Sequence, residues 1–236
     1  MKDAWPVYFG QLDEYFDIEN SFVFSDIDCE DYPGHKFIKY NNDDPYYIQY
    51  TSCLESVSDD FVIYAQEDFF LYDKVKIEKL EKYIEFLKNT DYSFVRLIKC
   101  GYKYDQDSYE DVHVKDDMYK VDTDSRDAFS MQPTIWKKEK LAELYLHVKS
   151  QKWLESDSWN KGCLDRNING VLTYNGESKK GRYHYDSSIY PYTATGITKG
   201  RWNMYRYESF LSEMFEKYDV DPNERGLRLS QFQYTK

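Results

Sequence analysis

The chain has 236 residues, a net charge of −12 and 19% aromatic residues. This length allows a substantial core in one large or two small domains. The negative charge disfavours duplex nucleic acid as the main partner, because it repels phosphate backbones, but a small nucleotide can still bind through a metal ion. No apolar run approaches the roughly 20 residues that span a bilayer, and Met1-Lys2-Asp3-Ala4-Trp5 lacks the apolar segment of a signal peptide.

The cysteines are widely spaced and form no CxxC motif, and the four histidines lack the spacing of a zinc site. Free thiols in a reducing cytosol are the simplest interpretation. We therefore expect a cytoplasmic protein without a transmembrane segment.

In the first half of the chain, helical and extended patterns alternate. The clearest helix is 74–89, where Ile77, Leu80, Ile84 and Leu87 recur at helical spacing. The predicted elements are a helix at 5–16, strands at 22–24 and 36–40, a helix at 46–55, a strand at 61–64, the helix at 74–89 and a strand at 94–98.

The second half continues this alternation without a convincing domain boundary. The predicted elements are a hairpin or mobile loop at 101–128, a strand at 129–136, a helix at 137–150, a polar segment at 153–162, a strand at 170–174, a loop at 175–202 and a helix at 205–218. This order predicts an α/β sheet with helices packed on it.

Two adjacent acids, Glu67 and Asp68, closely follow the predicted buried strand Phe61–Tyr64. Ligands of open α/β sheets bind at the carboxyl ends of the strands. Burying adjacent carboxylates is costly unless a positive charge compensates them, and Mg²⁺ or Mn²⁺ prefers such oxygen ligands. The pair therefore indicates either a metal site that carries a diphosphate or a strand end that faces water.

Four segments occur together in an order that resembles small glycosyltransferase-like proteins of the nucleotide-diphospho-sugar (GT-A) fold, found in bacterial and viral polysaccharide gene sets. These segments are Asp3-Ala4-Trp5-Pro6 with the following helix and the strand to Asp26, then 60–71, then 94–97 with 129–136, and finally 197–202 with 220–226.

The resemblance implies one GT-A-like (Rossmann-like) domain over 1–236, with a mixed sheet flanked by helices. Residues 1–100 would form the nucleotide-sugar-binding half, and 101–236 the acceptor half with a C-terminal lid and helix. Such families begin with a strand ahead of the helix that follows this first segment, whereas only Met1 and Lys2 precede Asp3 here. We therefore expect this first strand to be truncated or missing.

The resemblance assigns Glu67 and Asp68 to a Mn²⁺ or Mg²⁺ ion that bridges the two phosphates of the donor. Gln66 would help to position the donor, or would bond to a neighbouring loop. Asp26 leaves its strand at the same predicted sheet edge, where it would bind ribose or base, or would serve as a turn residue. The other residues expected at the nucleotide sugar are Arg96 and Lys199.

Arg96 ends a strand that we expect to lie beside the acid-pair strand. It would bind a phosphate or an acidic sugar, or would neutralise the acids directly. Lys199 and Arg201 flank Gly200, and this basic segment would close over the diphosphate as a lid or remain an ordinary exposed loop.

An inverting transfer requires a general base near the anomeric carbon of the donor. Glu155 is the first candidate and Asp157 the second; either acid would otherwise be a solvated loop residue, and a retaining mechanism stays open. Gln132, Trp136 and Trp153 are predicted to contact the acceptor, although most tryptophans belong to cores.

These residues predict metal-dependent transfer of a sugar from a nucleotide-sugar donor to a glycan or glycoconjugate. One alternative is a nucleotidyltransferase, or a phage-type sugar transferase that acts on modified nucleic acid. Another is a non-catalytic carbohydrate-binding protein, which the aromatic content would suit.

Overall fold

The computed structural model describes residues 2–101, 111–122, 128–149, 156–181 and 183–230. Helices and strands alternate within these ranges. After a 3₁₀ turn at Lys2–Ala4, the helices are α1 (Trp5–Tyr15), α2 (Tyr46–Glu55), α3 (Ile77–Lys88), α4 (Lys138–Val148), α5 (Ser156–Asp165), α6 (Met204–Tyr218) and α7 (Pro222–Arg225). The strands are β1 (Phe22–Ser25), β2 (Lys36–Lys39), β3 (Phe61–Tyr64), β4 (Phe94–Arg96), β5 (His113–Lys115), β6 (Met118–Lys120), β7 (Thr134–Lys137), β8 (Gly170–Thr173), β9 (Ile197–Thr198) and β10 (Arg201–Trp202).

Contacts divide the chain into two compact units. Unit 1 combines the residues up to Asp17 with Ala65–Val75 and the chain from Tyr190 onwards, whereas unit 2 combines Ile18–Tyr64 with Lys76–Ile189. The acid pair therefore belongs to unit 1, together with both ends of the chain.

Unit 2 contains a six-stranded mixed sheet in the order β3-β7-β4-β8-β6-β5. Strands β4 and β8 are parallel, and the other neighbouring pairs are antiparallel. Helices α2, α4 and α5 supply Tyr50, Leu144 and Trp159 to a core that also contains Phe94 and Trp136 of the sheet. The predicted mixed α/β sheet flanked by helices is confirmed at this level.

Strand β3 is half-buried at one edge of the sheet, so the prediction of a buried core strand is wrong. Strand β7 separates β3 from β4, and Arg96 therefore does not lie on the strand next to β3. Strands β1 and β2 form a separate parallel pair, so Asp26 does not leave from the sheet that contains β3.

Two helices and one hairpin differ from the sequence-based expectation. Helix α5 replaces part of the segment predicted as polar, because its buried Trp159 and Cys163 are four residues apart on one helical face. Helix α7 has only four residues, with Pro222 in its first turn and Asp221 accepting a hydrogen bond from the Asn223 amide. Strands β9 and β10 lie within the predicted loop 175–202.

Unit 1 is built around one apolar cluster that joins segments from distant parts of the chain. Its buried members are Ala4, Val7, Phe70, Ile197, Trp202, Leu211, Met214 and Phe215. Buried Gln11 connects the same segments by polar contacts, because its Nε2 donates to the Leu71 carbonyl at 2.8 Å and its Oε1 accepts from the Tyr218 hydroxyl at 2.9 Å.

Across the described ranges, no helix combines the length and apolarity needed to cross a membrane. The four cysteines are unbonded thiols, of which Cys53, Cys100 and Cys163 are buried.

Candidate functional site

Glu67 and Asp68 occupy the tip of a turn in which the Phe69 amide donates to the Gln66 carbonyl at 3.1 Å. Both acids are half-buried, whereas the following Phe70 is fully buried and anchors the turn in the unit 1 core. The chain then pairs with the 190s segment, where the Thr193 amide donates to the Phe70 carbonyl at 2.8 Å. Backbone hydrogen bonds within the turn and directly after it therefore fix the main chain that carries the two carboxylates.

Gly196 brings a second loop close to the acid turn. Its amide donates to the Asp68 carbonyl at 3.0 Å. A Cβ at this position would lie 2.3 Å from the Phe70 ring and 3.0 Å from the Asp68 carbonyl oxygen, so only glycine allows the approach. Buried Asn203 holds the same loop, donating its amide to the Gly196 carbonyl and its side chain to the Thr195 carbonyl, both at 2.9 Å.

The predicted basic glycine loop is the turn of the β9–β10 hairpin. Thr198 pairs with Arg201, which leaves Lys199 and Gly200 as the two turn residues. Their φ angles are +52° and +74°, and such left-handed pairs fit the twist of a two-residue hairpin. Lys199 is exposed on this tight turn.

Arg225 joins the two ends of the chain beside this hairpin. Its Nε donates to Asp3 Oδ2 at 2.6 Å, and its Nη2 donates to Asp3 Oδ1. The guanidinium carbon also lies 5.6 Å from the centre of the Trp202 ring, and only 9% of the Arg225 side chain is exposed. This two-point contact and the ring fix the orientation of the guanidinium group.

The charges around Asp68 are poorly balanced. Burial, followed by the charge of Glu67, raises the pKa of Asp68 from 3.8 to about 7, although a backbone hydrogen bond and Arg225 act in the opposite direction. Burial and the same two acids also raise the pKa of Tyr8 on α1. A cation at this position would therefore be stabilised by two carboxylates that Arg225 compensates only in part.

The residues at the turn fit a divalent cation. Carboxylate oxygens are hard ligands of the kind that Mg²⁺ and Mn²⁺ prefer. Over the residues whose placement is described, no group of three or more His, Cys, Asp or Glu side chains is arranged to hold a metal ion. An ion at Glu67 and Asp68 would therefore take its remaining ligands from water or from a bound phosphate.

The raised pKa of Asp68 predicts a specific dependence of stability on pH. Between about pH 4 and about pH 7 the folded state retains a proton that the unfolded state has lost, so the free energy of unfolding falls as pH rises. We expect Asp68→Asn to flatten this fall and to be more stable than the parent chain above pH 7. Urea unfolding across this range measures both slopes, and parallel profiles would contradict the prediction.

The structure places Gln66 next to the acid pair, Asp26 directly after β1 and Gln132 in unit 2. Gln66 is half-buried next to the acid pair, and its carbonyl closes the turn. Asp26 is exposed and accepts a hydrogen bond from Asn42 Nδ2 at 2.7 Å, a residue 16 positions further along the chain. Gln132 is half-buried in unit 2, where its carbonyl accepts from the Thr134 hydroxyl at 2.7 Å.

Two predicted binding side chains are buried in unit 2. Arg96 is 1% exposed and donates to the carbonyls of Cys100 and Ala128 at 3.3 and 3.2 Å, so it holds loops together instead of facing a ligand. Trp136 is also 1% exposed and packs against Phe94, which leaves no ring face for an acceptor sugar.

One of the two candidate bases, Asp157, belongs to α5. Asp157 is exposed in the first turn of this helix. Glu155 and Trp153 lie outside the described residues.

Sequence reasoning assigned no role to Tyr8, Asp3 or Arg225, although Asp3 and Arg225 belong to the segments that carry the resemblance. Their presence in two of those segments was the available signal. No protein-family model matches the chain, and no curated protein matches it.

Proposed function

We propose that this chain is a metal-dependent glycosyltransferase that moves a sugar from a nucleotide-diphosphate sugar to a glycan or glycoconjugate acceptor. The observation that carries the proposal is the convergence of segments in unit 1. Residues from the Asp3 segment, the acid-pair segment and the two C-terminal segments of the resemblance pack around one core. The half-buried carboxylates and Arg225 then lie within electrostatic reach of one another.

In this proposal Glu67 and Asp68 hold Mn²⁺ or Mg²⁺, and the bound ion neutralises the negative charge that develops on the leaving diphosphate. Arg225 limits the repulsion between the two acids, while Asp3 and the Trp202 ring keep its guanidinium group in place. Exposed Lys199 is a cation of the same unit that would bind a donor phosphate.

Proton transfer from the acceptor hydroxyl requires a carboxylate near the anomeric carbon. Asp157 and Glu155 remain the proposed general bases for an inverting reaction. Asp157 is exposed in the first turn of α5.

The carbohydrate-binding alternative depended on aromatic rings at the surface. Trp5, Trp136, Trp159 and Trp202 are all buried, with exposures of 9%, 1%, 1% and 0%. Their rings contribute packing energy, so these four tryptophans are not available as surfaces on which a sugar could stack.

Calorimetric titration of the intact chain with nucleoside diphosphates tests the proposal. We expect at least one nucleoside diphosphate to bind with a Kd of about 1 mM or tighter when Mn²⁺ is present, and to bind at least about tenfold more weakly after chelation. The same screen includes Mg²⁺. Failure of every common nucleoside diphosphate to bind with either ion would overturn the proposal.

A further inference from the structure

The two sheets of unit 2 each have one edge that is protected against further pairing and one that is not. At the protected edges, β2 begins and ends with Lys36 and Lys39, and β5 carries Lys115 and shifts register against β6. Lysines and such irregularities keep edge strands from pairing with other chains. The opposite edges are β1 (Phe-Val-Phe-Ser) and β3 (Phe-Val-Ile-Tyr), which contain no lysine and pair in a regular register.

Strand β1 leaves half of its backbone groups without partners. On the β2 side, the carbonyls of Ser21 and Ser25 accept hydrogen bonds at 2.8 and 3.0 Å. Successive residues of a strand direct their backbone groups to opposite edges, so Phe22 and Phe24 direct theirs away from β2. No hydrogen bond from another described residue reaches the amides or carbonyls of these two residues. Both residues are half-buried apolar side chains, unlike those of a typical solvated edge.

Strand β3 has the same kind of open edge. The Lys138 amide donates to the Asp60 carbonyl at 2.8 Å, which continues the pairing of β3 with β7. The alternate residues Phe61 and Ile63 therefore direct their backbone groups away from β7. Among the residues whose placement is described, none pairs with these groups. A second set of backbone donors and acceptors is thus open on this edge.

Both open strands lie against the same helix. The ring centre of Tyr50 in α2 lies 5.3 Å from that of Phe24 in β1 and 5.7 Å from that of Tyr64 in β3. The two outer rings are therefore at most about 11 Å apart. Neighbouring strands are about 4.8 Å apart, so two strands on either side of a third are separated by about 10 Å. The rings thus leave room for one further strand between β1 and β3.

The chain connectivity also suggests that β1 and β2 continue the sheet that contains β3. Helix α2 connects β2 to β3, and a strand–helix–strand connection normally joins parallel strands of one sheet. A parallel pair of only two strands is unusual, because parallel strands are normally buried within larger sheets. One added strand would join the two sheets and would pair both open edges.

We propose that β1 and β3 border a slot one strand wide beneath α2, and that this slot binds an extended peptide segment of a partner protein. The peptide backbone bonds to Phe22 and Phe24 on one side and to Phe61 and Ile63 on the other, as in other cases of strand addition to a sheet edge. Its alternate side chains, those that face Tyr50, are apolar. The inference is independent of the proposed transferase activity, because the slot shares no residue with the acid-pair site.

Hydrogen exchange measured by NMR on the intact chain tests the proposal, with acetyl-Lys-Thr-Val-Val-Ile-Val-Thr-Lys-amide as the probe. We expect a Kd of about 100 μM or tighter. With the peptide at ten times its Kd, exchange of the Phe24 and Ile63 amides should slow about tenfold. The amides of Val23 and Val62 should change by less than about twofold, because they already bond to β2 and β7. The same peptide with N-methylated valine and isoleucine amides should bind at least about tenfold more weakly.

A pair of proline variants locates the binding site. Ile63→Pro removes an amide that does not bond to β7, so β3 keeps its pairing while peptide binding should weaken at least about tenfold. Val112→Pro is the matched control at the opposite edge of the same sheet, where the Val112 amide has no hydrogen bond within the described ranges. It should bind the peptide like the parent chain.

The exchange pattern in the parent chain decides the question even if Ile63→Pro does not fold. The inference is overturned if exchange slows equally at Val23 and Phe24, if the N-methylated peptide binds as tightly as the parent peptide, or if a folded Ile63→Pro variant binds it unchanged. Protection of Phe24 and Ile63 that rises with protein concentration in the absence of peptide would also overturn it, because a second copy of this chain would then occupy the slot.

Discussion

Glu67→Gln and Asp68→Asn are each expected to lose Mn²⁺-dependent binding of a nucleoside diphosphate. Both substitutions keep the size of the side chain but remove one negative charge and one anionic metal ligand. Because these are the two protein ligands in the proposed site, we expect the Kd to rise at least about tenfold, equivalent to about 1.4 kcal/mol. Calorimetric titrations with Mn²⁺ and with chelator measure the metal-dependent part directly.

Glu213→Gln is the matched control. Glu213 is an exposed acid of α6 in the same unit, and its substitution removes the same charge. It should bind like the parent chain. Metal-dependent binding that survives in both acid-pair variants would refute the assignment of the metal site. Asp68→Asn also separates binding from folding, because this variant should be more stable than the parent chain above pH 7 while it binds less well.

Trp202→Ala should produce the largest loss of stability in unit 1. Trp202 is fully buried, with its ring centre 5.0 Å from that of Phe215 and 6.0 Å from that of Phe70. Deleting such a ring removes buried apolar surface and leaves a cavity, which typically costs about 3–5 kcal/mol. Chemical unfolding at equilibrium measures this cost.

The same variant is expected to weaken metal-dependent nucleotide binding, because Trp202 supports both Arg225 and the core that holds the acid turn. Tyr205→Ala is the control, since this neighbouring aromatic residue is 50% exposed and its removal should cost about 0.5 kcal/mol or less. A Trp202→Ala variant as stable as the control would show that the core of unit 1 does not depend on this ring.

Strong local periodicity predicted the main elements well. Helix α2 and strand β3 have the predicted bounds, because apolar residues at helical spacing and short β-branched or aromatic runs encode these elements locally. Helix α5 was missed because two buried apolar side chains, Trp159 and Cys163, mark its inner face within an otherwise polar sequence.

Strand neighbours were predicted less well, because pairing depends on contacts between distant segments. The sequence placed Arg96 on the strand next to the acid-pair strand. In the sheet, however, β7 lies between β3 and β4, although it follows β4 by about 40 residues in the chain. Arg96 is consequently a buried structural residue that bonds to backbone carbonyls.

The sequence alone determined that two carboxylates, Glu67 and Asp68, are adjacent, and that burying them would require a compensating positive charge. Only the tertiary structure decided which positive group lies close enough to compensate part of this negative charge. Arg225 and Asp3 are 222 positions apart, yet they bond beside Trp202, and Arg225 lies within electrostatic reach of Asp68. Burial and long-range contacts set the pKa of Asp68, and neither quantity is encoded in the local pattern around it.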